Sequence, residues 1–383
     1  MLIASAQASI GLVALFASIV IVVSYAWINI RQSRAEVGSE IELAPNRKPY
    51  YTDEELEGPR LDRVLALGLV GLFVVAITLP LYWLNEPGRQ EGARQDFRRT
   101  FVNRGAALFD TTENGGYNCA FCHGGMTAEG NVVPYTITDA NGQFVATVQW
   151  KAPALNTVML RYTRAEVRDI LIYGRTFSPM PAWGVAGGGP LNEQQLQNLI
   201  DYMESIQIDI NDPDVREEFR AEIEAAVENE MRLAEEAGVP YATRGEAMFN
   251  LGYYSNYAGG AFACGRCHTT GWSYDEKGPD GNGALGPSLR GDVSTTRFPG
   301  PVVGFDQQVE FVCTGSEHGV RYGQNGQGTG RMPGFCQTPA EAPNPAETGE
   351  VGVEAREASD PATVGGMYSL EDVQEIVRYV RSL

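Results

Sequence analysis

Four of the six cysteines and two of the three histidines in this 383-residue chain fall into two copies of one pattern, Cys119-Ala120-Phe121-Cys122-His123 and Cys264-Gly265-Arg266-Cys267-His268. Two thiols three positions apart can each add to one vinyl group of a haem, and the adjacent histidine then reaches the iron as proximal ligand. The pattern predicts two covalently bound haem c groups, one on Cys119, Cys122 and His123 and one on Cys264, Cys267 and His268. Two Cys-x-x-Cys pairs can also close a zinc ribbon on one metal, but that leaves a histidine after each pair unexplained. A thioredoxin-type dithiol calls for a βαβ setting, which the flanks lack.

A low-spin, electron-carrying haem needs a second axial ligand, and methionine raises its potential relative to histidine. Met180, in Ser178-Pro179-Met180-Pro181-Ala182-Trp183, and Met332, in Gly330-Arg331-Met332-Pro333-Gly334-Phe335, occupy matching places after the two motifs. The expected iron ligands are therefore His123 and Met180, and His268 and Met332. Met367 is the rival for the second haem and His318 a weaker one. Cys313 and Cys336 bracket the segment leading to Met332, and outside the cytoplasm spare thiols so placed form a disulfide, here one that pins the methionine loop. The alternative is two buried free thiols.

The elements that must position these residues repeat as well. Arg104-Gly105-Ala106-Ala107-Leu108-Phe109 precedes the first motif and Arg244-Gly245-Glu246-Ala247-Met248-Phe249 the second, each on a short helical pattern. After each Met-Pro step comes an amphipathic helix opened by a cap, Asn192 with Gln195 and Ser369 with Asp372. Each closing helix is expected to cross the opening helix at Gly105 or Gly245, where a missing side chain allows close approach. Between the copies, Pro213 to Glu236 reads as one charged helix capped by Asp212, with Val215, Phe219, Ile223, Val227 and Met231 at i+4 steps. It is either a spacer lying on its own haem domain or a docking ridge for a partner subunit.

Residues 1–30 carry no charge, and Ala8 to Ile30 and Val64 to Leu84 are apolar runs of spanning length, the second ending on Tyr82 and Trp83 at interfacial depth. No basic residue precedes the first run, so an uncleaved helix is expected rather than a signal peptide. The intervening loop holds Arg31, Arg34, Arg47, Lys48, Arg60 and Arg63, which the positive-inside rule places in the cytoplasm. Arg89, Arg94, Arg98, Arg99 and Arg104 follow the second run closely, so charge alone orients it poorly. Covalent haem assembly on the outer membrane face breaks the tie, placing the N-terminus and both haem domains on the extracytoplasmic side of the cell membrane.

The chain thus reads as mainly α: transmembrane helices over 1–30 and 64–84 around an inner loop 31–63, a haem domain over 85–210, a linker helix over 211–240 and a second haem domain over 241–383. A net charge of −19 argues against nucleic acid and against docking on anionic headgroups, and for attraction of basic partners. The glycine runs Gly184 to Gly189 and Gly323 to Gly330 lack the flanks of a phosphate loop. The segment Thr338 to Thr363, rich in Pro, Glu and Ala, reads as a solvated insertion.

Gly-x-x-x-Phe, Cys-x-x-Cys-His, a proline turn, a distal methionine and a last helix with Leu/Ile-x-x-Tyr resemble class I cytochrome c domains, in tandem over residues 100 to 383. The resemblance implies that the carbonyls of Pro153, in Ala152-Pro153-Ala154-Leu155, and Pro287, in Gly286-Pro287-Ser288-Leu289, hold His123 and His268. The first domain carries Ala152 where glycine is usual. The arrangement is similar to the dihaem cytochrome cc subunit of bacterial, notably actinobacterial, bc-type quinol:cytochrome c reductases. That likeness implies partnership with cytochrome b and a Rieske iron–sulfur subunit, and delivery to a terminal oxidase or a small basic carrier. The chain departs from that pattern in placing both membrane helices before the haems. The nearest rival is the dihaem subunit of cbb-type haem–copper oxidases, anchored at its N-terminus. Two six-coordinate irons leave outer-sphere electron transfer, so the chain reads as a relay subunit rather than a catalyst alone. A dihaem peroxidase or thiosulfate-oxidising enzyme would need an exchangeable ligand at one iron, and a sensor would need an output domain.

Overall fold

The structure is a computed structural model that describes residues 58–175, 178–316, 332–336 and 367–383, with short stretches between 16 and 31. The first expected membrane helix and the inner loop lie largely outside the described residues, as do His318, the second glycine run and the insertion at 338–363. Two compact units divide the chain, Met1–Glu91 and Gly92–Leu383.

Helix α1, Pro59–Phe109, runs unbroken through the boundary expected near residue 85, and contains Pro80 and Pro87. Among the described residues it is the one helix long and apolar enough to cross a membrane, and none of its apolar window is buried in the fold. Its C-terminal end enters the second unit, where Gly105 and Phe109 are buried.

That second unit holds two hydrophobic clusters. In the first, α2 (Cys119–His123) is followed by a hairpin, β1 (Asn131–Thr138) antiparallel to β2 (Phe144–Ala152), then by α3 (Arg164–Tyr173) and α4 (Glu193–Ser205). Phe109, Leu171, Leu196, Leu199 and Tyr202 close that cluster. In the second, α5 (Pro213–Glu236) leads into α6 (Arg244–Phe249), α7 (Gly265–His268), α8 (Val293–Arg297), α9 (Val303–Thr314) and α10 (Leu370–Val380). Phe249, Phe262, Tyr368, Val373 and Val377 lie at its centre.

The expected helix crossings are present. A Cβ on Gly105 would lie 1.8 Å from the Asn198 carbonyl oxygen, and one on Gly245 would lie 2.2 Å from that of Glu375. Beside each crossing an aromatic pair packs at matching separation, Phe109 with Tyr202 at 5.2 Å and Phe249 with Tyr379 at 5.5 Å. Both closing helices carry the reciprocal capping box, which satisfies two of the backbone donors a helix start leaves open.

Helix α5 resolves the two readings of the charged linker. Its N-cap is Asp212 with Pro213 at the first turn, and Phe219, Ile223, Ala226 and Val227 are buried in the second cluster. The apolar stripe is therefore covered by the chain itself and is not a docking ridge. Glu230 lies on the same face, fully buried, and accepts from the Gly252, Tyr254 and Ser255 amides at 3.1, 2.9 and 2.9 Å, the Ser255 hydroxyl at 2.6 Å and the Tyr241 hydroxyl at 3.1 Å. A buried carboxylate is tolerated only when so surrounded. It bolts α5 to the loop that leads into the second haem motif. Replacing Glu230 with Ala strands five donors, and thermal or guanidinium unfolding should show a loss of about 3 kcal/mol or more.

Candidate functional site

Each Cys-x-x-Cys-His forms one short helix, α2 or α7, whose last residue is the histidine. Both histidines are about nine-tenths buried. His123 Nδ1 lies 2.8 Å from the Pro153 carbonyl and His268 Nδ1 lies 2.9 Å from that of Pro287. A carbonyl only accepts, so Nδ1 carries the proton and Nε2 keeps a free lone pair, the tautomer a metal ligand needs. Burial pushes His123 down to about 4, against the Pro153 hydrogen bond, with the Arg266 and Arg161 guanidinium groups adding to the fall. Burial likewise lowers His268, again opposed by its prolyl carbonyl. Both rings are neutral donors at physiological pH.

The cysteines fit the same assignment. Cys119, Cys122, Cys264 and Cys267 are free thiols, whereas Cys313 and Cys336 form a disulfide. Burial raises Cys119 and Cys264 to about 12, each with its motif partner contributing. A redox dithiol needs the opposite shift. Among the described residues no three His, Cys, Asp or Glu side chains are grouped as a metal site requires, so the two pairs do not share one ion as in a zinc ribbon. The donor set therefore fits covalent haem on each motif: two thiols, then an imidazole with its iron-facing nitrogen free. Gly286 adds room for the ring, since a Cβ there would lie 2.6 Å from His268 Cε1.

The methionines sit on matching turns. Helix α3 ends on Gly174, φ 70°, and α9 ends on Gly315, φ 79°. The Met180 carbonyl accepts from the Arg175 amide at 3.0 Å, and the Met332 carbonyl accepts from the Ser316 amide at 3.0 Å. A Cβ on Gly174 would come within 2.6 Å of the Met180 carbonyl oxygen, and one on Gly315 within 2.5 Å of that of Met332. Positive φ and a close approach together call for glycine at both positions. Met180 and Met332 are half-buried at the edges of the two clusters, while Met367 is 1% exposed within the second. Beside the Cys313–Cys336 disulfide the Phe335 amide donates to the Val312 carbonyl and the Cys336 amide to the Cys313 carbonyl, and together they tie the Met332 turn to the end of α9.

Three basic residues near the motifs escaped the sequence reading. Lys151, 1% exposed, pairs with Asp275 at 2.7 Å. Arg161 is buried and donates to the Ala154 and Ala261 carbonyls. Arg266, inside the second motif, donates to the Lys151 and Gly259 carbonyls. The hairpin that delivers Lys151 does carry a signal: alternating β-branched and aromatic residues flank Asp139-Ala140-Asn141-Gly142.

Residues 101–203 match the model of the family described as cytochrome C oxidase, cbb3-type, subunit III. The match marks this segment as a cytochrome c domain, with covalently bound haem c and a part in respiratory electron transfer. No curated protein and no solved structure matches the chain.

The His268 geometry is open to test. Gly286→Ala drives a methyl group into the ring, so a haem c bound at the second motif should lose its low-spin absorption band, while Gly291→Ala, at an open but positive-φ position, should leave that band in place.

Proposed function

We propose that the chain is a membrane-anchored dihaem relay of a respiratory chain. It carries electrons from the Rieske centre of a bc-type quinol:cytochrome c reductase towards a terminal oxidase. The observation that supports this most directly is the duplication of a whole site. A histidine on a prolyl carbonyl and a methionine on a glycine-ended helix recur in both halves with distances that agree to about 0.1 Å. Haem c, when bound, supplies one-electron chemistry. The chain's own residues would hold it: His123 and His268 would offer Nε2, with Nδ1 fixed on a prolyl carbonyl, and Met180 and Met332, each on a glycine-ended turn, would supply the second ligand. With two such ligands on each iron there would be no open position for a substrate, and the chemistry supplied would be outer-sphere electron transfer.

The apolar part of α1 supports an anchor, with the preceding basic loop inside and the haem domains outside. Tethering raises the effective concentration of redox groups near membrane partners, and the net charge of −19 steers basic carriers towards them. A second reading, the dihaem electron-entry subunit of a cbb-type haem–copper oxidase, is favoured by the family description matched over residues 101–203.

Two measurements test these assignments. Met180→Ala and Met332→Ala should each turn one haem high-spin and lower its potential while both haems stay covalently attached; two unchanged low-spin spectra would remove the methionine assignment. Mild-detergent purification through a tag on this chain should recover cytochrome b and a Rieske protein. Recovery of a haem–copper catalytic subunit alone would move the chain to the oxidase.

A further inference from the structure

The peptide from Lys151 to Ala154 has a double attachment. Its Pro153 carbonyl faces His123 Nδ1 at 2.8 Å, and its neighbouring groups are held by the second domain. Arg266 Nη1 donates to the Lys151 carbonyl at 2.8 Å, and the Ala154 amide donates to the Ala258 carbonyl at 2.9 Å. The same guanidinium atom donates to the Gly259 carbonyl at 2.8 Å, so it is braced by its own domain as well. Arg266 lies between Cys264 and Cys267 in the second motif. A side chain of one haem-attachment loop therefore ends on the peptide that fixes the proximal histidine of the other.

The partners of Arg266 differ in kind from those of its basic neighbour. Lys151 reaches the Asp275 carboxylate at 2.7 Å, which offsets its charge. The described bonds of Arg266 go to two carbonyl oxygens, which orient a guanidinium without neutralising it. A fixed positive charge in a seam of low dielectric acts strongly over short distances. It favours the reduced form of a nearby iron centre, which carries one positive charge fewer.

We propose that Arg266 is a positioning residue common to both haem sites: it anchors the peptide that orients His123 and sets one positive charge beside both motifs, raising the two reduction potentials together. The proposal rests on the dihaem reading. It is tested by redox titration of the full-length, detergent-extracted protein, comparing wild type with Arg266→Gln and Arg266→Lys. Haem content and absorption spectra of each variant show whether both haems remain attached and low-spin. Arg266→Gln should lower both titration steps, each by up to about tenfold in the reduction equilibrium, which is 59 mV for one electron. Arg266→Lys keeps the charge and should hold both steps near their original positions. A fall in one step alone, an unchanged titration, or a Lys variant that falls as far as Gln would overturn the proposal. If Arg266→Gln does not assemble, the Lys variant still decides, because a full shift with charge retained contradicts the electrostatic role. A wild-type protein with one haem and one step would overturn the dihaem reading itself, and this proposal with it.

Discussion

Around each motif the path of the chain answers to one hydrogen bond, from the Nδ1–H of a proximal imidazole to a prolyl carbonyl. A histidine that offers Nε2 to a metal almost always has its other nitrogen held, which fixes the tautomer and the ring, and here the acceptor comes from a part of the chain 30 residues later in the first domain and 19 residues later in the second. The chain has to return over the ring in both cases. It does so by different routes: the first domain uses the β1–β2 hairpin, and the second uses a glycine-rich loop through Gly281, Gly283 and Gly286. The bond is kept while the route varies, so the hairpin and the loop are two solutions to one requirement.

The hairpin does more than return the chain. Because β2 ends at Ala152, directly before Pro153, the strand that closes the first site also forms the edge that meets the second domain. Trp150 stacks on Tyr274 with ring centroids 5.7 Å apart, and Lys151 crosses to Asp275 and Asn256. One segment thereby serves three tasks: it closes a site, seals an interface, and buries a lysine whose charge is matched across that interface. Such polar contacts cost desolvation and gain definition of a single docking geometry.

Much of the site was legible from residue type and order. The Cys-x-x-Cys-His motifs, the two capping boxes and the bounds of the linker helix rest on local chemistry, in which a residue's neighbours in sequence are its neighbours in space; the glycine crossings followed from the internal repeat, and the prolyl carbonyl acceptors, 30 and 19 residues from their histidines, from the resemblance to cytochrome c domains. The departure from the usual pattern at Ala152 did not displace the Pro153 bond, since the carbonyl belongs to the next residue. The continuity of α1 was not legible, because Pro80, Pro87 and the change from apolar to polar residues all argue for a break, and a helix long enough can absorb each of them. Glu230, Arg161 and Arg266 were not legible either. A glutamate on an acidic helix and an arginine within a motif carry no mark of burial, and the most distant partners of Glu230, Arg161 and Arg266 lie 25, 100 and 115 residues away.

Part of the seam is built from peptide groups meeting peptide groups. A Cβ on Gly130 would lie 2.5 Å from the Ala258 carbonyl carbon, and one on Gly259 would lie 1.9 Å from the Ala152 carbonyl oxygen. Where backbone touches backbone, ordinary side-chain drift cannot widen or narrow the gap. The spacing of the two motifs is in that sense written into the course of the chain and would persist through wide divergence of the surrounding sequence. For the same reason the halves are poor candidates for independent shuffling: a domain exchanged alone would have to bring a matching glycine and a matching carbonyl to the same place, so the pair would be inherited as one piece.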